Sequence, residues 1–183
     1  DAKDSYTSGR SKRITYYSIL IAKQLGLSQI DIGKVELAGM LHDIGMIGVS
    51  DEILYKIDAL TQDEYDEIKK HITYSVKILE DIKQLKDVVE IIKYHHEKYD
   101  GTGYPFGIRG EDIPIGSRII AVADAFDSII SNRIYRNQID MQQAKQKIIE
   151  GSGTQFDPIV VKAFEDSFES IVSTIKDLDS NTN

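Results

Sequence analysis

The stretch VVEIIKYHHEKYDGTGYPFGIRG, residues 88–110, decides the reading of this chain. It opens on Val88, Ile91 and Ile92, apolar positions at helical spacing. That helix is predicted to end on the adjacent pair His95 and His96. From Asp100 to Gly110 the sequence holds four glycines and Pro105, so the helix gives way to a loop. A helix that delivers two imidazoles to the start of a glycine-rich loop is an arrangement suited to binding.

Outward from this stretch, helical signals dominate. Ile14, Tyr17, Ile21 and Leu25 recur at three-to-four-residue spacing, with Gly26 as a stop. Ser28 is placed to cap a second helix through Ile32, Val35, Leu37, Leu41 and Ile44, ending near Gly45. Thr61 and Glu64 form a capping box, predicting one long helix through Ile68, Ile72, Val76 and Leu79. Residues 115–130 read as a buried helix, another starts at Asp140 or Met141, and Pro158 suits the first position of the last. No run of alternating strand pattern and no internal repeat is present, so the expectation is an all-α domain. Its bounds are predicted as 9–170, between a polar segment, 1–8, and a polar tail, 171–183, disordered from Asp177.

Composition narrows the function. The 183 residues are the size of one domain, and 41% of them are hydrophobic, enough for a core. The net charge of −8 argues against wholesale nucleic-acid binding, though not against a small phosphate ligand met by local positive charge. Cysteine is absent, which excludes disulfides and thiolate metal sites and fits a reducing, cytoplasmic setting. Apolar runs are too short to span a bilayer. The chain starts in polar residues without a methionine, as a domain excised from a longer protein would.

The chemistry rests on few residues. Four histidines exist: His42, His71, His95 and His96. His42 and Asp43 close one apolar helix, and Asp124 interrupts another, where an unpaired carboxylate is costly. Imidazole with carboxylate is a good ligand set for iron, manganese or zinc. Any one of these residues alone would pass for an ordinary surface or core residue; their placement at helix ends that can converge is what counts.

The order His-Asp, His, His-His, Asp resembles the HD-GYP family. His42-Asp43-Ile44-Gly45 resembles its HD motif, residues 95–105 its long signature ending in Gly103-Tyr104-Pro105, and residues 121–127 its later aspartate segment. The resemblance implies an HD-domain helical bundle with additional helices around the Gly-Tyr-Pro loop, and hydrolysis of the bacterial messenger cyclic di-GMP to pGpG or GMP. It implies that Asp43 bridges two metals as the catalytic centre, that His71, His95 and His96 complete the shell of one, and that His42 and Asp124 serve the other. Arg133 and Arg136 match positions that grip substrate phosphates. The Gly103-Tyr104-Pro105 loop is expected to serve recognition, including of a protein partner; Glu97 and Asp100 are open to two readings, supports of the histidines from outside or a charged loop edge.

Two departures bear on activity. Arg13 matches the family's arginine, but Arg10 stands where a histidine ligand is expected, and Tyr6 stands where some members carry a glutamate ligand. A guanidinium cannot ligate a cation; it can take a metal's place by pairing with Asp43 or Asp124. Met46 stands where a phosphate-contacting lysine is expected. The expectation is one divalent metal per chain, iron or manganese, and impaired hydrolysis of cyclic di-GMP. The alternative is a catalytically inactive module that binds a nucleotide or a protein.

Overall fold

The computed structural model describes residues 9–131 and 141–180, with side chains through residue 175. It is all-helical, and no β-strand occurs among the described residues beyond an isolated bridge between Ser152 and Phe156. The helices are α1 (Arg10–Gln24), α2 (Gln29–Leu41), α3 (Asp51–Leu54), α4 (Gln62–Lys69), α5 (His71–Leu79), α6 (Lys86–Lys93), α7 (Ile115–Ser131), α8 (Met141–Glu150) and α9 (Pro158–Ser180). No described helix is long and apolar enough to cross a membrane.

Helix α7 is buried along most of its length, through Ile119, Ile120, Val122, Ala123 and Phe126. Against it pack α1, which inserts Ile14, Tyr17 and Ile21, and α9, which inserts Phe164 and Phe168. The Phe126 ring meets Tyr17 edge-on at 5.6 Å and Phe164 at 5.1 Å. Because this helix runs through the core, the polar residues Asp124 and Asp127 on it must find partners inside the protein.

Local signals behave as their chemistry dictates. The Ser28 hydroxyl accepts the Asp31 N–H at the start of α2. Thr61 Oγ1 accepts the Glu64 N–H at 3.3 Å while Glu64 Oε2 accepts the Thr61 N–H at 2.7 Å, the reciprocal capping box. Thr61→Ala is expected to cost about 1 kcal/mol. Thermal denaturation should show a midpoint lower by about 3 °C, and an unchanged midpoint would show that the box adds nothing to global stability.

Three expectations need correction. The helix predicted from 61 to 79 is two helices, joined at Lys70, whose ψ of −12° flattens the backbone into a turn. Apolar spacing runs on across the break from Ile68 to Ile72, which hides it from periodicity. The helix predicted to end near Gly45 stops at Leu41, and a 3-10 turn, Ile44–Gly48, follows. The polar tail does not begin at 171: α9 continues to Ser180, and Ile171 and Ile175, one turn apart, are buried in the core. Residues 1–8, expected as a polar segment, lie outside the described residues.

Candidate metal centre

Four separate elements bring the sequence's ligand candidates to one place. His42 and Asp43 follow α2, His71 opens α5, His95 and His96 follow α6, and Asp124 lies within α7. Ser75 staples the first two elements together: its hydroxyl donates to the His42 carbonyl at 3.2 Å and accepts the Gly45 N–H at 2.8 Å. Ligand atoms of Asp43, His71, His95 and His96 all lie within 4.8 Å of one another. The His71 ring lies 5.6 Å from that of His95 and 5.2 Å from that of His96.

The imidazoles are aimed by backbone. His42, His71 and His95 each place Nδ1 on the carbonyl three residues earlier, Gly39, Ile68 and Ile92, at 2.8, 2.7 and 2.6 Å. A carbonyl only accepts, so Nδ1 carries the proton, and in a neutral ring Nε2 is left with its lone pair. The Nε2 atoms of all three are buried without a hydrogen-bond partner. His42 Nε2 does lie 3.2 Å from Asp43 Oδ2, close enough for charge attraction though not aligned as a hydrogen bond. Three buried ring nitrogens left unsatisfied are costly on their own. Those of His71 and His95, with the His96 ring and the Asp43 carboxylate beside them, fit a divalent cation, which takes such lone pairs as ligands.

The electrostatics follow the same geometry. Burial works to raise the Asp43 carboxyl, yet His42, His71 and His95 hold it well below the usual carboxylate range. Burial disfavours a charged His42, but Asp43 and Asp124 push it up to about 9. His95 is held well below its ordinary value by burial and by the neighbouring imidazoles, and His96 is pushed down to about 3 by burial with His71 adding. His95 and His96 are therefore neutral at pH 7, the form in which a metal binds imidazole.

His42 and Asp124 stand beside the four-residue cluster rather than in it. His42 Nε2 is 4.0 Å from Asp124 Oδ1, and the carboxylate already has a partner: Arg10 Nη2 donates to the same oxygen at 2.6 Å. Arg10 also donates to Ser128 Oγ at 2.9 Å and reaches Asp127 Oδ2 at 3.5 Å. Asp127 is fully buried and is gripped by Arg13 through two bonds, 2.8 Å from Nε and 3.0 Å from Nη2. Two arginines of α1 thus neutralise two aspartates of α7. Of the two partners open to Arg10 from sequence, Asp43 and Asp124, the fold selects Asp124. Asp127 sits in the quoted motif, and its spacing of three residues from Asp124 was the available signal that it shares this face.

The Gly-Tyr-Pro loop is only partly exposed. Pro105 and Phe106 face solvent, but Tyr104 stacks on His96 with ring centroids 4.9 Å apart at 25°. Glu97 and Asp100, open to two readings, both make their carboxylate hydrogen bonds in the loop, and neither bonds a histidine among the described residues. Glu97, 3% exposed, accepts the N–H groups of Phe106 at 2.7 Å and Gly107 at 3.1 Å, and Asp100 accepts from Thr102. Both carboxylates face loop N–H groups, which is where an acceptor is needed. A cleft of about 480 Å³ opens beside the cluster, lined by His95, His96, Asp124, Tyr65, Tyr104 and Lys147. Arg133 and Arg136, expected to hold phosphate, lie outside the described residues.

An all-helical domain that gathers one aspartate and three histidines in a cluster able to hold a metal ion belongs to the histidine-aspartate class of helical folds. The sequence profile described as HD domain matches residues 1–160, and the chain belongs to that family, in its HD-GYP form. A cyclic di-GMP phosphodiesterase of Thermotoga maritima is 37% identical over 99% of this chain and 50% of its own length. A 3'3'-cGAMP-specific phosphodiesterase of Vibrio cholerae is 40% identical over 86% of this chain and 34% of its own length. The chain therefore spans half or less of the length of these relatives. The crystal structure of a cyclic GMP-AMP-specific phosphodiesterase of V. cholerae superposes with a TM-score of 0.71 at 22% identity, covering 89% of this chain and 45% of that one, and so shares the fold.

Proposed function

We propose that this domain handles a cyclic dinucleotide, cyclic di-GMP or a close relative, in a bacterial signalling protein, and that its hydrolytic activity is impaired. The observation that carries this reading is the 2.6 Å contact between Arg10 and Asp124. Asp43, His71, His95 and His96 would hold one divalent transition metal, iron or manganese, with Asp43 as the central carboxylate. Bound there, such an ion supplies charge neutralisation to phosphate and lowers the pKa of water. His42 would serve a second ion, but Asp124, its companion in that role, is engaged by a guanidinium that brings charge without offering a coordination position. Arg133 and Arg136 would grip phosphate, and the exposed tip of the Gly103-Tyr104-Pro105 loop would serve recognition of nucleotide or of a protein partner. Absence of cysteine and the substrate class support a cytoplasmic site of action.

A second reading, a catalytically silent receptor of nucleotide or protein, is favoured by the loss of two expected groups at once, at Arg10 and Met46. Two measurements test the metal count and the nucleotide assignment, and turnover decides between the readings. Elemental analysis after mild dialysis should give at most one transition metal per chain; two or three would show that the Arg10 defect is compensated. Calorimetric titration of the manganese-loaded protein with cyclic di-GMP should show binding, and the absence of binding would overturn the nucleotide assignment.

A further inference from the structure

Among the four cluster ligands, His96 is held differently from the other histidines. His71 and His95, like the neighbouring His42, have Nδ1 fixed on a carbonyl of their own helix turn. His96 has no such bond among the described residues. What it has instead is the ring of Tyr104, nearly parallel at 25° with centroids 4.9 Å apart, and the Tyr104 N–H, which donates to the His96 carbonyl at 3.2 Å. An imidazole without a hydrogen bond at its second nitrogen is free to rotate about its side-chain bonds unless packing stops it.

Tyr104 is itself positioned from two sides. Glu97, adjacent in sequence to His96 and buried, ties down the chain beyond Tyr104 through the N–H groups of Phe106 and Gly107. Gly103 lets the loop lie against the backbone of Glu97 and Lys98: a Cβ there would sit 2.2 Å from the Lys98 nitrogen and 2.5 Å from the Glu97 Cα. The carboxylate of Glu97 and the close approach at Gly103 thus lead to one result, a tyrosine ring laid flat on a ligand imidazole.

We infer that Tyr104 is a positioning residue for His96, replacing with ring stacking the backbone bond that aims the other histidines, and that Glu97 holds Tyr104 in that position. This rests on the metal reading proposed above. It gives the Gly-Tyr-Pro loop a task at the metal centre in addition to recognition, through Tyr104 and not through a ligand atom.

The test is cobalt(II) affinity by competition titration, together with the ligand-field absorption of the bound ion. Tyr104→Leu, which keeps apolar bulk but not a flat ring, should weaken cobalt binding about tenfold, the low end of what loss of an outer partner costs. It should also change the absorption bands, because one ligand is no longer fixed in direction. Tyr104→Phe keeps the ring and should bind as the unmodified chain does. Glu97→Ala should mimic Tyr104→Leu, and His95→Ala should lose more than either. Circular dichroism establishes that each variant is folded. If Tyr104→Leu unfolds, Glu97→Ala carries the same comparison against Tyr104→Phe. Cobalt affinity and spectrum unchanged in Tyr104→Leu or Glu97→Ala, while His96→Ala loses affinity, would overturn the inference alone. Unchanged affinity in His96→Ala would overturn the metal assignment beneath it.

Discussion

Combining Arg10→His with Met46→Lys should raise cyclic di-GMP hydrolysis by about 10² or more over the unmodified chain. The guanidinium of Arg10 donates to Asp124 at 2.6 Å and to Ser128 at 2.9 Å, so it occupies the carboxylate that faces His42 across 4.0 Å. Histidine at position 10 removes that cation and adds a neutral lone pair in its place. Met46 lies in the 3-10 turn that begins one residue after Asp43, and lysine there restores the phosphate-contacting charge that the family resemblance leads one to expect. Loss of one electrostatic stabiliser commonly costs 10²–10³ in rate, about 3–4 kcal/mol, and two are restored together here. Formation of pGpG and GMP is followed with added manganese or iron under reducing conditions. Robust turnover by the unmodified chain, equal to that of the double variant, would refute the impaired-site reading.

Gly45→Ala should destabilise the domain by about 3 kcal/mol or more, in the range reserved for severe packing conflicts. A Cβ at position 45 would lie 1.9 Å from the His71 carbonyl oxygen and 2.5 Å from the Ser75 nitrogen. Both are backbone atoms of α5, so no side chain can swing away to relieve the clash, and α5 must move as a body. The move separates His71 from Asp43, now 3.5 Å apart, and breaks the Ser75 staple. Thermal denaturation should therefore show a midpoint lower by about 10 °C, and metal affinity should fall with it. A midpoint within about 2 °C of the unmodified protein would mean that the contact between the turn and α5 yields at little cost.

Legibility in the sequence followed the range of the interactions. Caps act within a turn, and Ser28, Thr61 with Glu64, and Pro158 each mark a helix start where the structure has one. Periodicity acts within a helix, so the buried face of α7 could be read from residues 115–130. The break at Lys70 could not, because the apolar stripe crosses it, and α9 was cut short because the charged residues around Ile171 and Ile175 masked a single buried stripe. The cluster residues were found because imidazoles are few and their order resembles that of a known family. The partner choice of Arg10 and the grip of Arg13 on Asp127 join residues more than a hundred positions apart, and no local pattern specifies such pairings. Sequence left Glu97 open between a support for the histidines it follows and a loop-edge charge; its side chain turns to the loop, where unsatisfied N–H groups needed an acceptor.

The three Nδ1 bonds to helix-end carbonyls also bear on how an ion would come and go. Ligand directions are set by the helices that carry them, and those helices are stabilised by a core that includes no metal ligand. The rotational freedom of His71 and His95 is therefore lost when the chain folds rather than when the ion arrives. An ion entering this cluster would meet donors already aimed, and by relieving the cost of their buried unpaired nitrogens it would make the loaded chain the harder one to unfold.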